Sequence, residues 1–366
     1  MSQTISSVSQ FLEFWAPPSL AEDYDNVGLL VGQAERSVSK ILVSLDVTEA
    51  VVDEAISEGC ELIVSHHPIL FKGLKRLNSQ SYVARTVEKA IENRIGLYTL
   101  HTNLDNVSTG VNQKMADQLG LKALKILRPK VGEIIQLSFF VPQQSRETVL
   151  IALHAAGAGQ IGNYSECSFT SEGLGRFKPG DGANPTIGNM GQREEVAEFQ
   201  IQVSFPKYLK NKVLKALFEA HPYEEVAYFL SETQNPWQEV GSGMIGSFTE
   251  PMHWDDFSKM VKQQFGLQFL KYTQVVSPHI RKVAVCGGSG FFLLNDAKAV
   301  GADVFITSDV KYHDFFDAEG KIILMDIGHF ESEQFTSQLI VEQLSANFRN
   351  IAVLLSKVRT NPVFYA

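Results

Sequence analysis

Two adjacent histidines, His66 and His67, stand directly after the apolar run Leu62-Ile63-Val64. Neighbouring side chains on an extended strand point to opposite faces. Where a strand ends, however, the chain can turn both imidazoles into one crevice, and that crevice is where open α/β sheets bind ligands. Taken alone, the pair is better accounted for by ordinary loop hydrogen bonds than by metal binding. The next apolar run, Gly96 to Leu100, leads into His101-Thr102-Asn103-Leu104-Asp105, bringing an imidazole and a carboxylate to the same sheet edge, although Asp105-Asn106 also suits a turn or a helix cap. Further on, Ile323-Leu324-Met325 runs into Gly328-His329-Phe330-Glu331-Ser332-Glu333. His329 and Glu333 are four apart and share a helical face, a chelating spacing; acidic residues complementing a helix dipole would account for Glu331 or Glu333 but do not require His329.

His66, His67, Asp105, His329 and Glu333 form a mixed nitrogen and oxygen set that suits Zn²⁺, Fe, Mn²⁺ or Co²⁺ rather than Ca²⁺. Five donors exceed one closed tetrahedral site. We therefore expect two divalent ions ~3.5–4 Å apart, bridged by Glu333 or Asp105, with positions left open for water. Lys72 and Arg76 follow the His-His pair at i, i+4 spacing and could clamp a phosphate, or could be merely solvated. His313, again after an apolar run, is a candidate general acid or base and equally a structural histidine. Cys286-Gly287-Gly288-Ser289-Gly290 lacks the full phosphate-loop signature and reads as a tight turn beside the cleft; Ser289 has no adjacent base and is not read as a nucleophile.

Positioning these residues requires strands that end together. From about Lys40 the pattern is β-α-β-α-β: strand Ile41 to Leu45, helix Thr48 to Glu58, strand Leu62 to Val64, helix Tyr82 to Arg94, strand Gly96 to Leu100. The cadence returns from Lys282, with a helix from Phe292, strand Asp303 to Ile306, a short helix after Lys311, strand Lys321 to Met325, a helix from about Glu331 to Ala346 and a last strand, Ile351 to Leu355. Between the halves the texture changes. Strand Ser138 to Val141, helix Arg146 to Ala156, a glycine-rich loop from Gly157 to Gly191, strand Phe199 to Val203, helix Lys207 to Ala220 and strand Glu225 to Leu230 follow one another in a ferredoxin-like order. The expected fold is α/β: a discontinuous main domain, 1–131 with 236–366, made of two β-α-β-type halves that can pack pseudo-symmetrically, and an inserted ferredoxin-like α+β domain at 132–235.

The chain has 366 residues, enough for more than one core, and its 44% hydrophobic and 20% charged content is that of a folded protein. A net charge of −9 argues against broad affinity for nucleic acid or anionic membrane. Three scattered cysteines, Cys60, Cys167 and Cys286, indicate neither a disulfide framework nor a thiolate zinc site. No targeting pattern opens the chain and no apolar run approaches the ~20 residues of a membrane span, so a cytoplasmic location is expected.

Taken together, Tyr24-Asp25-Asn26-Val27-Gly28-Leu29, Ser44-Leu45-Asp46-Val47-Thr48, Ser65-His66-His67-Pro68, His101-Thr102-Asn103-Leu104-Asp105 and Gly328-His329 with Glu333 resemble the family of GTP cyclohydrolase 1 type 2 homologues, also called NIF-three-like. The passage Gly157 to Tyr164 and Gly182 to Pro185 further resembles its longer bacterial members, which carry a PII-like or CutA-like insert. The resemblance implies that His66, His67, Asp105, His329 and Glu333 hold two metal ions, with Glu331 in reserve for Glu333, and that the chain forms a toroidal homohexamer with its metal sites facing an internal cavity. A shared fold does not settle a substrate. The leading expectation is a metal-dependent hydrolase using a metal-bound hydroxide on a nucleotide-like or phosphorylated small molecule. The alternative is a metal-binding regulatory or metal-handling protein without turnover, and a third reading makes the ions purely structural.

Overall fold

The apolar runs Ile41-Leu42-Val43, Leu62-Ile63-Val64 and Leu97-Tyr98 are buried throughout, as parallel strands covered on both faces must be. In the computed structural model, which describes residues 3–365, they belong to a five-stranded sheet. Its order is Ala352–Leu355, Lys40–Ser44, Leu62–Ser65, Gly96–Thr99 and Gly28–Val31. All neighbours run parallel except Gly28–Val31, which lies antiparallel at the edge. The helix Glu49–Glu58 starts where the Thr48 side chain accepts the Val51 backbone N–H and stops at Gly59, whose φ of 69° suits glycine.

Five strands of the C-terminal half and one from the N-terminal half, Lys122–Lys130, build a six-stranded sheet in the order Lys271–Tyr272, Ile323–Asp326, Val304–Thr307, His279–Val285, Trp237–His253 and Lys122–Lys130. Ile323–Asp326, Val304–Thr307 and His279–Val285 run parallel. The last strand, Ala352–Leu355, leaves this half and pairs with Lys40–Ser44, so the two halves are stitched together by the end of the chain. The single helix expected from about Glu331 to Ala346 is two, His329–Glu333 and Thr336–Asn347; Phe335, at the junction, packs edge-on against Phe265. No helix among the described residues is long and apolar enough to cross a membrane.

The chain divides into two units, 1–129 with 238–366, and 130–237. The second unit has its own core, in which Leu137, Phe139, Ile201 and Phe205 of the sheet meet Val149, Leu153, Val213 and Leu217 of the helices Arg146–Ala155 and Lys210–Ala220. Its four strands are antiparallel in the order Tyr228–Glu232, Ile134–Pro142, Glu194–Pro206 and Phe169–Phe177. The strand Phe169–Phe177 corrects the reading of 157–191 as loop throughout. Its glycines weaken local strand propensity, but nine register partners on Glu194–Pro206 supply the ladder that the local sequence cannot.

Candidate metal centre

The carboxyl ends of the parallel strands deliver the polar cluster. His66 and His67 follow Leu62–Ser65, Asp105 lies on the helix Thr102–Asn106 just past Gly96–Thr99, and His329 and Glu333 occupy the short helix past Ile323–Asp326. The tertiary structure thus brings His66, His67, Asp105, His329 and Glu333 together from both halves of the first unit.

His66 is fully buried, and its Nδ1 donates to the Leu100 carbonyl oxygen at 2.8 Å. Its Nε2 then points inward as an acceptor, 3.7 Å from Asp105 Oδ1 and 3.8 Å from Glu333 Oε1. Neither His66 Nε2 nor Asp105 Oδ1 has a hydrogen-bond partner although both are buried. Burial, then the nearby Glu333, pushes the Asp105 carboxyl up to about 7. An unpartnered imidazole nitrogen facing a buried and a partly buried carboxylate is a donor set that could hold a cation.

On the other side of Glu333 the donors are closer. Glu333 Oε2 lies 2.9 Å from His67 Nε2 and 3.1 Å from His329 Nε2, and those two nitrogens are 3.4 Å apart. Burial alone would lower both imidazoles, but Asp46 and Glu333 hold His67 up to about 10, and Glu333 with Asp309 holds His329 up to about 9. Burial alone would raise Glu333; the imidazoles of His329, His66 and His67 outweigh it and keep this carboxylate well below its ordinary range. Glu333 therefore offers one oxygen to each of two donor sets. Ligand atoms spaced this way fit around ions held at ~2.0–2.2 Å, the range for first-row metals with nitrogen and oxygen ligands.

Sequence reasoning missed the groups that aim these imidazoles. His67 Nδ1 is tied to Asp46 Oδ1 at 2.7 Å and His329 Nδ1 to Asp309 Oδ2 at 2.6 Å. His101, noted at the sheet edge but not placed in the ligand set, forms a third cluster with His66 and His67, and its Nδ1 is tied to Asp25 Oδ1 at 2.8 Å. Each of the four imidazoles is thus held by Nδ1 with Nε2 left for the centre, the arrangement in which a carboxylate or carbonyl orients a metal-binding histidine. The signal was present in Tyr24-Asp25-Asn26, before a strand, and Leu45-Asp46-Val47, after one, but a single aspartate beside a strand more often caps or turns. Gly288 also matters. At φ +61°, it allows Glu333 in, because a Cβ there would sit 2.4 Å from Oε1.

The remaining candidates lie elsewhere. His313 is exposed on the 3-10 helix Tyr312–Ala318, where its ring contacts are with Tyr312 and Phe316. Lys72 and Arg76 are exposed, and neither makes an ion pair or hydrogen bond among the described residues.

Fold and site together define an α/β protein with clustered histidines and carboxylates able to hold metal ions. The chain belongs to the Duf34/NIF3 (NGG1p interacting factor 3) family, whose model matches residues 3–362. It is 41% identical over 363 residues to a GTP cyclohydrolase 1 type 2 homolog of Halalkalibacterium halodurans, covering 97% of each chain. A protein of the same name from Bacillus subtilis is 35% identical over 361 residues, covering 97% of this chain and 96% of that one. Among solved structures, a Bacillus cereus protein related to NIF3 superposes with a TM-score of 0.86 at 37% identity, covering both chains completely.

Proposed function

We propose that His66, Asp105 and Glu333 hold one divalent ion and His67, His329 and Glu333 a second, making a dinuclear centre for hydrolysis of a nucleotide-like or phosphorylated small molecule. The observation that carries this reading is Glu333, whose two oxygens serve two donor sets. Zn, Fe and Mn all suit the donors. When bound, such a pair of ions polarises a substrate oxygen and makes water nucleophilic near neutral pH. The residues contribute orientation: Asp46, Asp309 and Asp25 fix three imidazoles, and the Leu100 carbonyl fixes the fourth. Lys72 and Arg76 remain proposed substrate contacts and His313 a proposed proton-transfer group, each resting on chain position. The relatives' name, GTP cyclohydrolase 1 type 2 homolog, supports a nucleotide-like substrate.

The 130–237 unit is proposed to be a ferredoxin-like insert of the PII-like or CutA-like kind, on the strength of its strand order and its two helices. A cytoplasmic homohexamer is proposed from the family resemblance. The test is hydrolysis of GTP and of simple phosphate esters by metal-reconstituted protein, wild type against Glu333→Gln. Turnover that disappears in the variant with folding intact supports the reading. If metal-loaded wild type turns over none of them, while chelation changes its assembly or partners, the regulatory alternative replaces it.

A further inference from the structure

The 130–237 unit contains a cavity of about 600 Å³, a volume in the range of small-molecule sites. Its floor is the sheet face opposite the helices. Alternation along the strands sends Phe139, Phe199 and Ile201 into the core, so their neighbours Phe140, Glu198 and Gln200 line the cavity. On the edge strand Phe169–Phe177, Gly173 faces Glu198, and Gly175 lies one pleat along. Both lack a side chain where the cavity lies, and a Cβ on Gly175 would fall 2.0 Å from Glu198 Oε2.

A loop roofs the space and is tied down at defined points. The Asn184 backbone N–H donates to Glu224 Oε1 at 2.7 Å, and the Thr186 hydroxyl donates to the Pro222 carbonyl at 2.7 Å. The wall is mostly apolar, with Leu174, Phe177, Pro185 and Ile187. At its polar end stands Glu198, only 9% exposed. Tyr223 donates its hydroxyl to Glu198 Oε1 at 2.8 Å, whereas Oε2 receives no hydrogen bond from any described residue. Tyr223 is itself fixed. Its backbone N–H donates to His221 Nδ1 at 3.1 Å, and His221 Nε2 donates to the Phe140 carbonyl at 2.8 Å. Burial, then the Glu198 carboxylate, pushes the Tyr223 phenol above its ordinary value, so it stays a donor.

We infer that this cavity is a binding site for an organic ammonium compound, a small molecule whose amine pairs with Glu198 Oε2 while its hydrocarbon or aromatic body fills the apolar wall. Tyr223 occupies Oε1 while Oε2 faces the cavity with no donor from a described residue, so a charged N–H group entering the cavity finds a carboxylate oxygen free to pair with it. Acidic lining residues, Glu172, Glu198, Glu224 and Glu225, outnumber the basic Arg176 and Lys178, and Arg176 is paired with Glu195 at 2.6 Å. That balance disfavours phosphates. A metal ion is disfavoured because no cluster of three ligating side chains occurs here among the described residues.

The test uses the full chain and matched probes observed by ligand-detected NMR: 2-phenylethylamine, 4-phenylbutylamine and the corresponding alcohols. Amines are expected to bind and the alcohols to bind at least tenfold more weakly. Glu198→Gln, which keeps the shape and removes the charge, should abolish the preference, and Tyr223→Phe should reduce it while the metal content stays unchanged. Absence of amine binding, equal binding of amines and alcohols, or an undiminished preference in folded Glu198→Gln would overturn the assignment.

Discussion

Glu333 Oε2 lies 2.9 Å from His67 Nε2, although the two residues are 266 positions apart in the chain and come from different sheets. The same carboxylate turns Oε1 toward His66, so its loss should affect both donor sets at once. Glu333→Gln is expected to lose most of both ions, whereas His329→Ala should lose chiefly one. Elemental mass spectrometry of the folded variants distinguishes these outcomes. Equal retention of two ions in both would remove Glu333 as the bridge.

Asp46 touches no other part of the proposed coordination sphere, yet it holds His67 through Nδ1. Asp46→Asn should weaken metal affinity by about 10- to 100-fold, the usual effect of removing such a support. Competition against a chelator of known affinity measures it. An unchanged affinity would mean that packing alone orients the imidazole.

Asp46 and Glu333 hold His67 up to about 10, and Glu333 with Asp309 holds His329 up to about 9, so in metal-free protein both imidazoles are expected to carry protons at neutral pH. A metal ion must displace those protons, and loading at pH 7 should release about two per chain from this pair. Calorimetry in buffers of different ionisation enthalpy counts them. The sign for stability follows from pKa values raised above the ordinary 6.5. Stabilisation by the imidazolium–carboxylate contacts is complete below about 6.5 and fades as pH rises through 9 to 10. Chelated protein should therefore melt progressively lower across that window, while metal-loaded protein should change less.

Gly288→Ala adds a methyl group 2.4 Å from Glu333 Oε1 at a backbone φ of +61°. Backbone strain alone should cost roughly 1 kcal/mol or more. Displacement of the carboxylate should lower metal content as well. Thermal melts and metal analysis together would show both losses; a variant with normal metal content would mean that Glu333 can step aside.

Phe139 is fully buried in the core of the 130–237 unit. Phe139→Ala should cost about 3–5 kcal/mol there. If the unit folds around its own core, protease cuts should appear within 130–237 while the metal content holds. Coincident loss of metal would show that the two units do not fold separately.

How much of this was open to the sequence depends on whether the cause was local. The helix Glu49–Glu58 was legible because its signals are adjacent: Thr48 begins it and Gly59 ends it. The histidines and Asp105 could be placed at strand ends because buried parallel strands announce themselves as unbroken apolar runs. The strand Phe169–Phe177 was hidden, since only its partner Glu194–Pro206 makes a glycine-bearing segment extend. Spacing also left the bridging role open between Asp105 and Glu333. The sequence by itself determined the chemistry available at each strand end, because side-chain type and hydrophobic period are local properties. Tertiary structure alone decided that Glu333 stands between His66 and His67 and that Asp25, Asp46 and Asp309 aim the imidazoles, because those contacts exist only once two sheets and the connecting chain have packed together.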